Sequence, residues 1–301
     1  QYPDSAATDL KRALVEALGL SPGNILVGSG STELIRMAAL AYFKPGDQVL
    51  IITPTFGEYE IACRIAGASV TEQRLSPEKG FRLEVNDTIE LIQKHRPSGI
   101  FITNPNNPTS RYLSRNAIER ILVNSQESLL ILDEAYLTFV DNSWSSLDMI
   151  DRGNLLILRS MTKDYALAGL RLGYGIAHEN IIDTLSRILP PWNVNAVAQQ
   201  AGIIALKEQD YVKQSQAKIK EAKEYLITGL ARLGLPPLPS EASFFLVKVN
   251  DSPAFRHRLL EQKMLVRDCT SFGLPGYIRI APRTMPECQQ LIKAIEKIRG
   301  G

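Results

Sequence analysis

Cysteine is scarce. Cys63, Cys269 and Cys288 are the only three in 301 residues, and they lie far apart. No CxxC pair occurs, and His95, His178 and His257 lack ligand spacing, so neither a disulfide framework nor a metal site is expected. Reduced, buried cysteines of a cytoplasmic protein are the plain expectation. Charge of one sign is lacking too. The 34 Lys and Arg against 32 Asp and Glu leave a formal charge of +2, which gives no ground for nucleic-acid binding. No basic run addresses a membrane surface, and no apolar run is long enough to span a bilayer. A signal peptide, internal repeats and low-complexity linkers are also missing. The chain opens abruptly at "QYPDSAATDL" (1–10), as if an N-terminal segment preceded it.

What is present reads as an ordinary globular chain, 45% hydrophobic and 22% charged. A chain of this length buries roughly 75% of its unfolded surface and needs no staple. Short apolar runs recur at "NILVGS" (24–29), "QVLIIT" (48–53), "GIFITN" (99–104), "LLILDE" (129–134) and "NLLILRS" (154–160). They are continuous, as in parallel strands covered on both faces. Helical patterns lie between them, at 31–43 and 114–125 among others. The expected class is α/β, a mainly parallel sheet flanked by helices. From about residue 208 the pattern changes to a long charged helix (211–234), a strand (243–249), a helix (253–263), a strand (277–282) and a helix (286–298). This divides the chain into a large domain, 1–207, and a smaller α+β domain, 208–301.

In open parallel sheets, ligands sit beyond the carboxyl ends of the strands. Three apolar runs end there in unusual polar groups: "NPNNPTS" (104–110), Asp133 to Tyr136, and Ser160 to Lys163. A fourth piece, "GSGSTE" (28–33), is a glycine-rich turn opening a helix, where free N–H groups favour a phosphate. Ser31 or Thr32 could instead cap that helix, but no capping box supports this, because Leu34 and Ile35 stand three positions on. No GK[ST] follows, and Glu33 occupies the third position of the dinucleotide spacing. An anion site, a carboxylate, a tyrosine and a lysine without a metal are the requirements of pyridoxal phosphate. Its aldehyde needs an amine and its ring nitrogen needs a carboxylate.

"NPNNPT", "LDEAY" and "SMTKDYALAGLRLGY" (160–174) resemble, in that order, the signatures of fold-type I, class I/II aminotransferases. Within that group the chain is similar to histidinol-phosphate aminotransferases and threonine-phosphate decarboxylases, from "YPD" (2–4) to "YIRIAP" (277–282). The resemblance implies that Lys163 bonds the cofactor aldehyde as a Schiff base and that Asp133 partners the ring nitrogen. It makes Tyr136 and Asn107 partners of the ring hydroxyl and Phe56 the aromatic stacked on the ring. Ser31, Thr32, Ser160, Thr162 and Arg171 would form the phosphate cup. Tyr2 would reach the cofactor phosphate of a second subunit, which implies a homodimer with a shared site. Arg279 would hold a substrate carboxylate, and Arg267 would serve the substrate pocket, suited to a distal phosphate. Two departures stand out: Ser110 occupies a position that is often glycine, and the segment that lids the site in relatives is not in the sequence.

The implied reaction is transamination of a phosphorylated amino-acid-like substrate such as histidinol phosphate, with 2-oxoglutarate as acceptor and ping-pong kinetics. Decarboxylation of threonine phosphate, in cobalamin biosynthesis, is the alternative, and the loop "VRDCTSFG" (266–273) leans toward it. The motifs do not choose which substrate bond stands perpendicular to the cofactor. A third possibility, a non-catalytic ligand-sensing relative, conflicts with the intact chemical residues.

Overall fold

The computed structural model describes residues 2–300. Among these residues, seven strands form one sheet: β1 (Ile25–Gly28), β2 (Gln48–Thr53), β3 (Ser69–Arg74), β4 (Gly99–Thr103), β5 (Leu129–Asp133), β6 (Leu155–Ser160) and β7 (Gly173–Ala177). Their order is β1-β7-β6-β5-β4-β2-β3. The pairs β2–β3, β2–β4, β4–β5 and β5–β6 are parallel, whereas β7 is antiparallel to both neighbours, β6 and β1. A strand antiparallel to β7 runs the same way as β6. Six strands therefore share one direction and one carboxyl edge, and β7 starts at that edge.

The continuous apolar runs are divided by the pleat, since alternate side chains leave opposite faces. Leu50, Ile52, Ile100, Ile102, Leu130, Leu132 and Ile157 enter one core, with Leu10 and Leu14 of helix Thr8–Leu18 and Ile118 and Ile121 of helix Arg115–Val123. Val49, Ile51, Phe101, Ile131, Leu156 and Leu158 enter the other, with Leu34 and Ile35 of helix Ser31–Tyr42 and Tyr59 and Cys63 of helix Glu58–Ile65. Each such buried side chain contributes on the order of 1.5–3 kcal/mol.

A second sheet holds β8 (Phe245–Lys248), β9 (Arg267–Asp268) and β10 (Tyr277–Ile280) in the antiparallel order β8-β10-β9. Helices Gln209–Arg232, Ser252–Glu261 and Met285–Gly300 cover one face of it, closing a core of Leu226, Phe245, Val247, Leu259, Ile278 and Ile295. Leu246 and Tyr277 on the opposite face meet Phe81. Arg279 shares that face, so it is turned toward the large sheet.

The sheet differs from the sequence reading at two strands. β3 is an edge strand, polar with Gln73 alone buried, and lacks an apolar run. β7 is fully buried but reads GYGIA, with two glycines among five residues, at the end of the lysine stretch. All three cysteines are buried and free. Among the described residues, no helix is long and apolar enough to cross a membrane.

Candidate active site

The shared carboxyl edge gathers the polar strand ends. The turn after β1 brings Ser31 and Thr32, the loop after β2 brings Phe56, and the turn after β4 brings Asn107. Asp133 ends β5, Ser160 ends β6, and Arg171 precedes β7. Ten of the side chains singled out in the sequence line one cavity of about 160 Å³: Ser31, Thr32, Phe56, Asn107, Asp133, Tyr136, Ser160, Thr162, Lys163 and Arg171. A larger cleft of about 350 Å³ lies beyond Phe56, but it is lined by neither the lysine nor the carboxylate.

At one part of this cavity the backbone builds an anion cup. Gly30 is the N-cap of helix Ser31–Tyr42, and no side chain caps that helix. Ser31 and Thr32 are its first two residues, so the capping alternative for them does not hold. The first-turn N–H groups lack a side-chain partner and carry the positive end of the helix dipole. Gly30 has φ +77°, and a Cβ there would lie 2.6 Å from a guanidinium nitrogen of Arg171. A Cβ on Gly173 would lie 2.6 Å from the Ser31 nitrogen. Two missing side chains thus let the turn, the helix start and Arg171 close on each other. The hydroxyls of Ser160 and Thr162, both buried, stand 2.7 Å apart. Glu33 does not intrude, because Ser29 N and Asn193 Nδ2 each donate to its carboxylate at 2.7 Å.

Lys163 lies in the short helix Met161–Asp164. Its Nζ sits 5.9 Å from the Tyr136 ring centroid. Burial lowers the pKa of this amine, the Arg279 and Arg171 cations lower it further, and Asp133 opposes them. Asp133 is 4% exposed. It accepts from Ala135 N at 2.9 Å and from the Tyr59 hydroxyl at 2.8 Å. Burial nevertheless pushes its pKa up, outweighing those two bonds, with Glu134 adding to the rise and Lys163 countering it. Burial also raises the Tyr136 phenol, against the pull of Arg279.

Three expected residues lie outside the cavity wall. Arg279 donates from Nη1 to Asn107 Oδ1, and its guanidinium lies 4.8 Å from the Phe244 ring, which packs edge-on against Tyr136. It is therefore tied to the site through Asn107. Arg267 is the cross-strand partner of Arg279 but is exposed, bonded to Ser271 Oγ at 2.9 Å and placed over Phe272. Tyr2 is 80% exposed and stacks on Trp192 with centroids 4.6 Å apart.

The sequence reading missed several participants. Tyr59 binds both Asp133 and Thr103; it stands three positions after Phe56, which puts the two rings edge to face at 5.7 Å. Glu134 forms a buried pair with Arg159 at 3.0 Å and accepts from Ser146 Oγ at 2.6 Å. Charged residues inside apolar runs were the available signal for that pair. Ser110 has φ +55° and is buried, so a serine occupies backbone that favours glycine.

The profile of the family described as aminotransferase class I and II matches residues 1–295. The histidinol-phosphate aminotransferase of Moorella thermoacetica is 36% identical to this chain over 99% of it and 78% of the relative. Among solved structures, the histidinol-phosphate aminotransferase from Clostridium acetobutylicum superposes with a TM-score of 0.91 at 28% identity, covering 100% of this chain and 91% of the other. The L-threonine-O-3-phosphate decarboxylase from Porphyromonas gingivalis superposes with a TM-score of 0.89 at 29% identity and the same coverage.

Proposed function

The chain belongs to the class I and II aminotransferase family and is a pyridoxal-phosphate-dependent transaminase; we propose that its donor substrate is a phosphorylated amine such as histidinol phosphate and its acceptor 2-oxoglutarate. The likeness to histidinol-phosphate aminotransferases supports the donor, and the convergence of the Arg171 cup, the Lys163 amine and the buried Asp133 carboxylate in one cavity supports the cofactor site that serves it. The residues fit the cofactor, since Gly30 and Gly173 let Arg171 and the uncapped helix start at Ser31 close together as an anion cup beside the Lys163 amine. When bound, pyridoxal phosphate supplies an aldehyde that captures amines and a ring that takes up electrons from the substrate carbon.

The first-turn N–H groups, the hydroxyls of Ser31, Thr32, Ser160 and Thr162, and the Arg171 fork would hold the phosphate. Asp133 would hold a proton at the ring nitrogen, and Tyr136 and Asn107 would bond the ring hydroxyl. Phe56 would cover the ring and exclude water. Lys163, with its proton affinity reduced by burial and two arginines, serves first as nucleophile and then as the base that moves a proton at Nζ. Arg279 would grip the acceptor carboxylate and Arg267 a distal phosphate. Tyr2 would serve the cofactor phosphate of a second copy, making the working form a homodimer in the cytoplasm.

The solved decarboxylase at 29% identity supports a second reading in which the substrate loses its carboxylate. One experiment separates them: histidinol phosphate with 2-oxoglutarate, and threonine phosphate alone, are offered to the loaded enzyme. Glutamate from the first pair is expected. Carbon dioxide from threonine phosphate without glutamate overturns the transaminase assignment of substrate. In Lys163→Ala, turnover and the covalent attachment of the cofactor on borohydride reduction are both expected to vanish; if both persist, the role given to Lys163 is wrong.

A further inference from the structure

The loop between helix Gln209–Arg232 and β8 reaches three parts of the site. Phe244, directly before the strand, packs edge-on against the Tyr136 ring with centroids 4.8 Å apart. The Arg279 guanidinium lies 4.8 Å from the same Phe244 ring. Glu241 N donates to Ser110 O at 3.1 Å, and Arg111 approaches the Glu241 carboxylate at 4.0 Å. The turn 104–110, which bears Asn107, is therefore fastened to this loop as well. Arg279 donates to Asn107 and lies over Phe244, so one loop fixes both of these neighbours.

What ties the loop to the helix is a lysine. Lys223 Nζ donates to Ser240 O at 2.9 Å and to Ala242 O at 2.7 Å. Lys220, three positions earlier, is an ordinary surface cation and pairs with exposed Asp141 at 2.7 Å. Lys223 is half-buried instead and directs two of its three hydrogens to main-chain carbonyls. Burial lowers the pKa of its amine, with Glu241 and Asp141 opposing the fall and Lys220 adding to it. Ser240 and Ala242 border an open cleft of about 540 Å³, so water reaches this part of the loop. Water satisfies a carbonyl, but it does not tie that carbonyl to a helix. The ammonium does, through bonds of the stronger charge-assisted kind. Ser240 Oγ in turn lies 2.5 Å from Phe244 O, which carries the tether to the residue facing Arg279.

We propose that Lys223 is a positioning residue that clamps loop 240–244 to its helix and thereby sets the place of Phe244 and Arg279 in the acceptor pocket. The clamp rests on the acceptor role proposed for Arg279 and adds a residue that none of the cavity motifs contains. Lys223 does not line the cavity. It acts through the loop, by way of the Phe244 ring and the turn that bears Asn107.

Lys223→Met keeps the stem and removes the ammonium. In the full chain without cofactor, main-chain hydrogen exchange over 240–246 should quicken about tenfold in this variant, while β4 and β5 exchange as before. In the chain loaded with cofactor, the second reading is calorimetric binding of 2-oxoglutarate, which carries no amine and binds without reacting. Its affinity should fall about tenfold, the low end of what a hydrogen bond to a charged group supplies. A variant that is merely less stable binds fewer equivalents at the original affinity, so the affinity separates positioning from folding. Lys223→Arg offers donors to both carbonyls and should restore both readings. Phe244→Leu should weaken binding as well. Combined with Lys223→Met it should be no weaker than the worse single variant, because both act through one ring. Lys223→Gln, too short to span both carbonyls, takes the place of Lys223→Met if that variant does not fold. Unchanged exchange or unchanged affinity in Lys223→Met, an equal loss in Lys223→Arg, or additive losses in the double variant overturns the clamp. If the unmodified chain binds no 2-oxoglutarate, the acceptor assignment fails instead, and the exchange reading alone decides the clamp.

Discussion

Asp164 follows Lys163 directly, and its carboxyl is pushed up to about 6 by burial. Thr138 Oγ1 donates to it at 3.1 Å and Tyr165 N at 3.1 Å, and Arg159 pulls the pKa back, but burial dominates. The folded value lies above the ordinary aspartate value of about 3.9, so the folded chain binds this proton more tightly than the unfolded chain. The stability that follows is complete below about pH 4 and is lost as pH rises through 6. About two pH units at 1.36 kcal/mol each set a ceiling near 3 kcal/mol. Asp164→Asn stays neutral throughout and does not incur that loss. In urea unfolding, the variant and the original chain should match at pH 4. At pH 7.5 the variant should be more stable by about 1–3 kcal/mol. Taking the difference cancels the other carboxylates, which titrate alike in both. A gap that stays constant with pH, or that favours the original chain as pH rises, rules out buried Asp164 as the cause.

Gly30→Ala places a Cβ against Arg171 at a φ of +77°. It should weaken cofactor binding at least tenfold, read by absorbance titration, and cost about 1–3 kcal/mol of stability through backbone strain. Ser110→Gly should change stability by less than about 1 kcal/mol, because relief of the φ of +55° is offset by greater freedom of the unfolded chain and by loss of the bond to Thr109 O. Ser110→Val should lose about 2 kcal/mol or more by thermal unfolding, since a β-branched residue tolerates that backbone poorly. Arg279→Lys keeps the charge but not the planar fork. Its KM for the acceptor should rise about tenfold with a smaller change in kcat, and an unchanged KM removes Arg279 from the acceptor pocket.

Much of the large sheet was legible because the parallel strands that build its centre must be apolar on both faces. β4 and β5 are buried in every residue and apolar up to the Thr103 and Asp133 that end them. β3 was not legible because it needs only one buried side chain, Gln73. β7 was hidden by its glycines: Gly173 lets the Ser31 backbone approach, and a Cβ on Gly175 would press on Leu156 at 3.3 Å. The ten cavity residues were recognisable as motifs, each local to a strand end. Tyr59 was not, because its partners Thr103 and Asp133 stand 44 and 74 positions away. Hydroxyl contacts over such separations leave no periodic trace. Tyr2 and Arg267 carry only a pattern match, and within one copy of the chain they face solvent.

The single reversed strand has a mechanical consequence. Ser160 at the end of β6 is paired across the ladder with Gly173 at the start of β7. Residues 161–172 are therefore a loop clamped at its base, and Lys163 and Arg171 both ride on it. In the parallel connections of the same sheet, an added residue can be absorbed along a whole crossover and displaces one strand end. Here an added residue would alter the spacing between amine and guanidinium directly. For the roles proposed for those two side chains, the loop is a ruler. Its length sets the distance at which one small molecule can be held by its aldehyde and by its phosphate, and insertions should be tolerated least here of all the connections at the cavity edge.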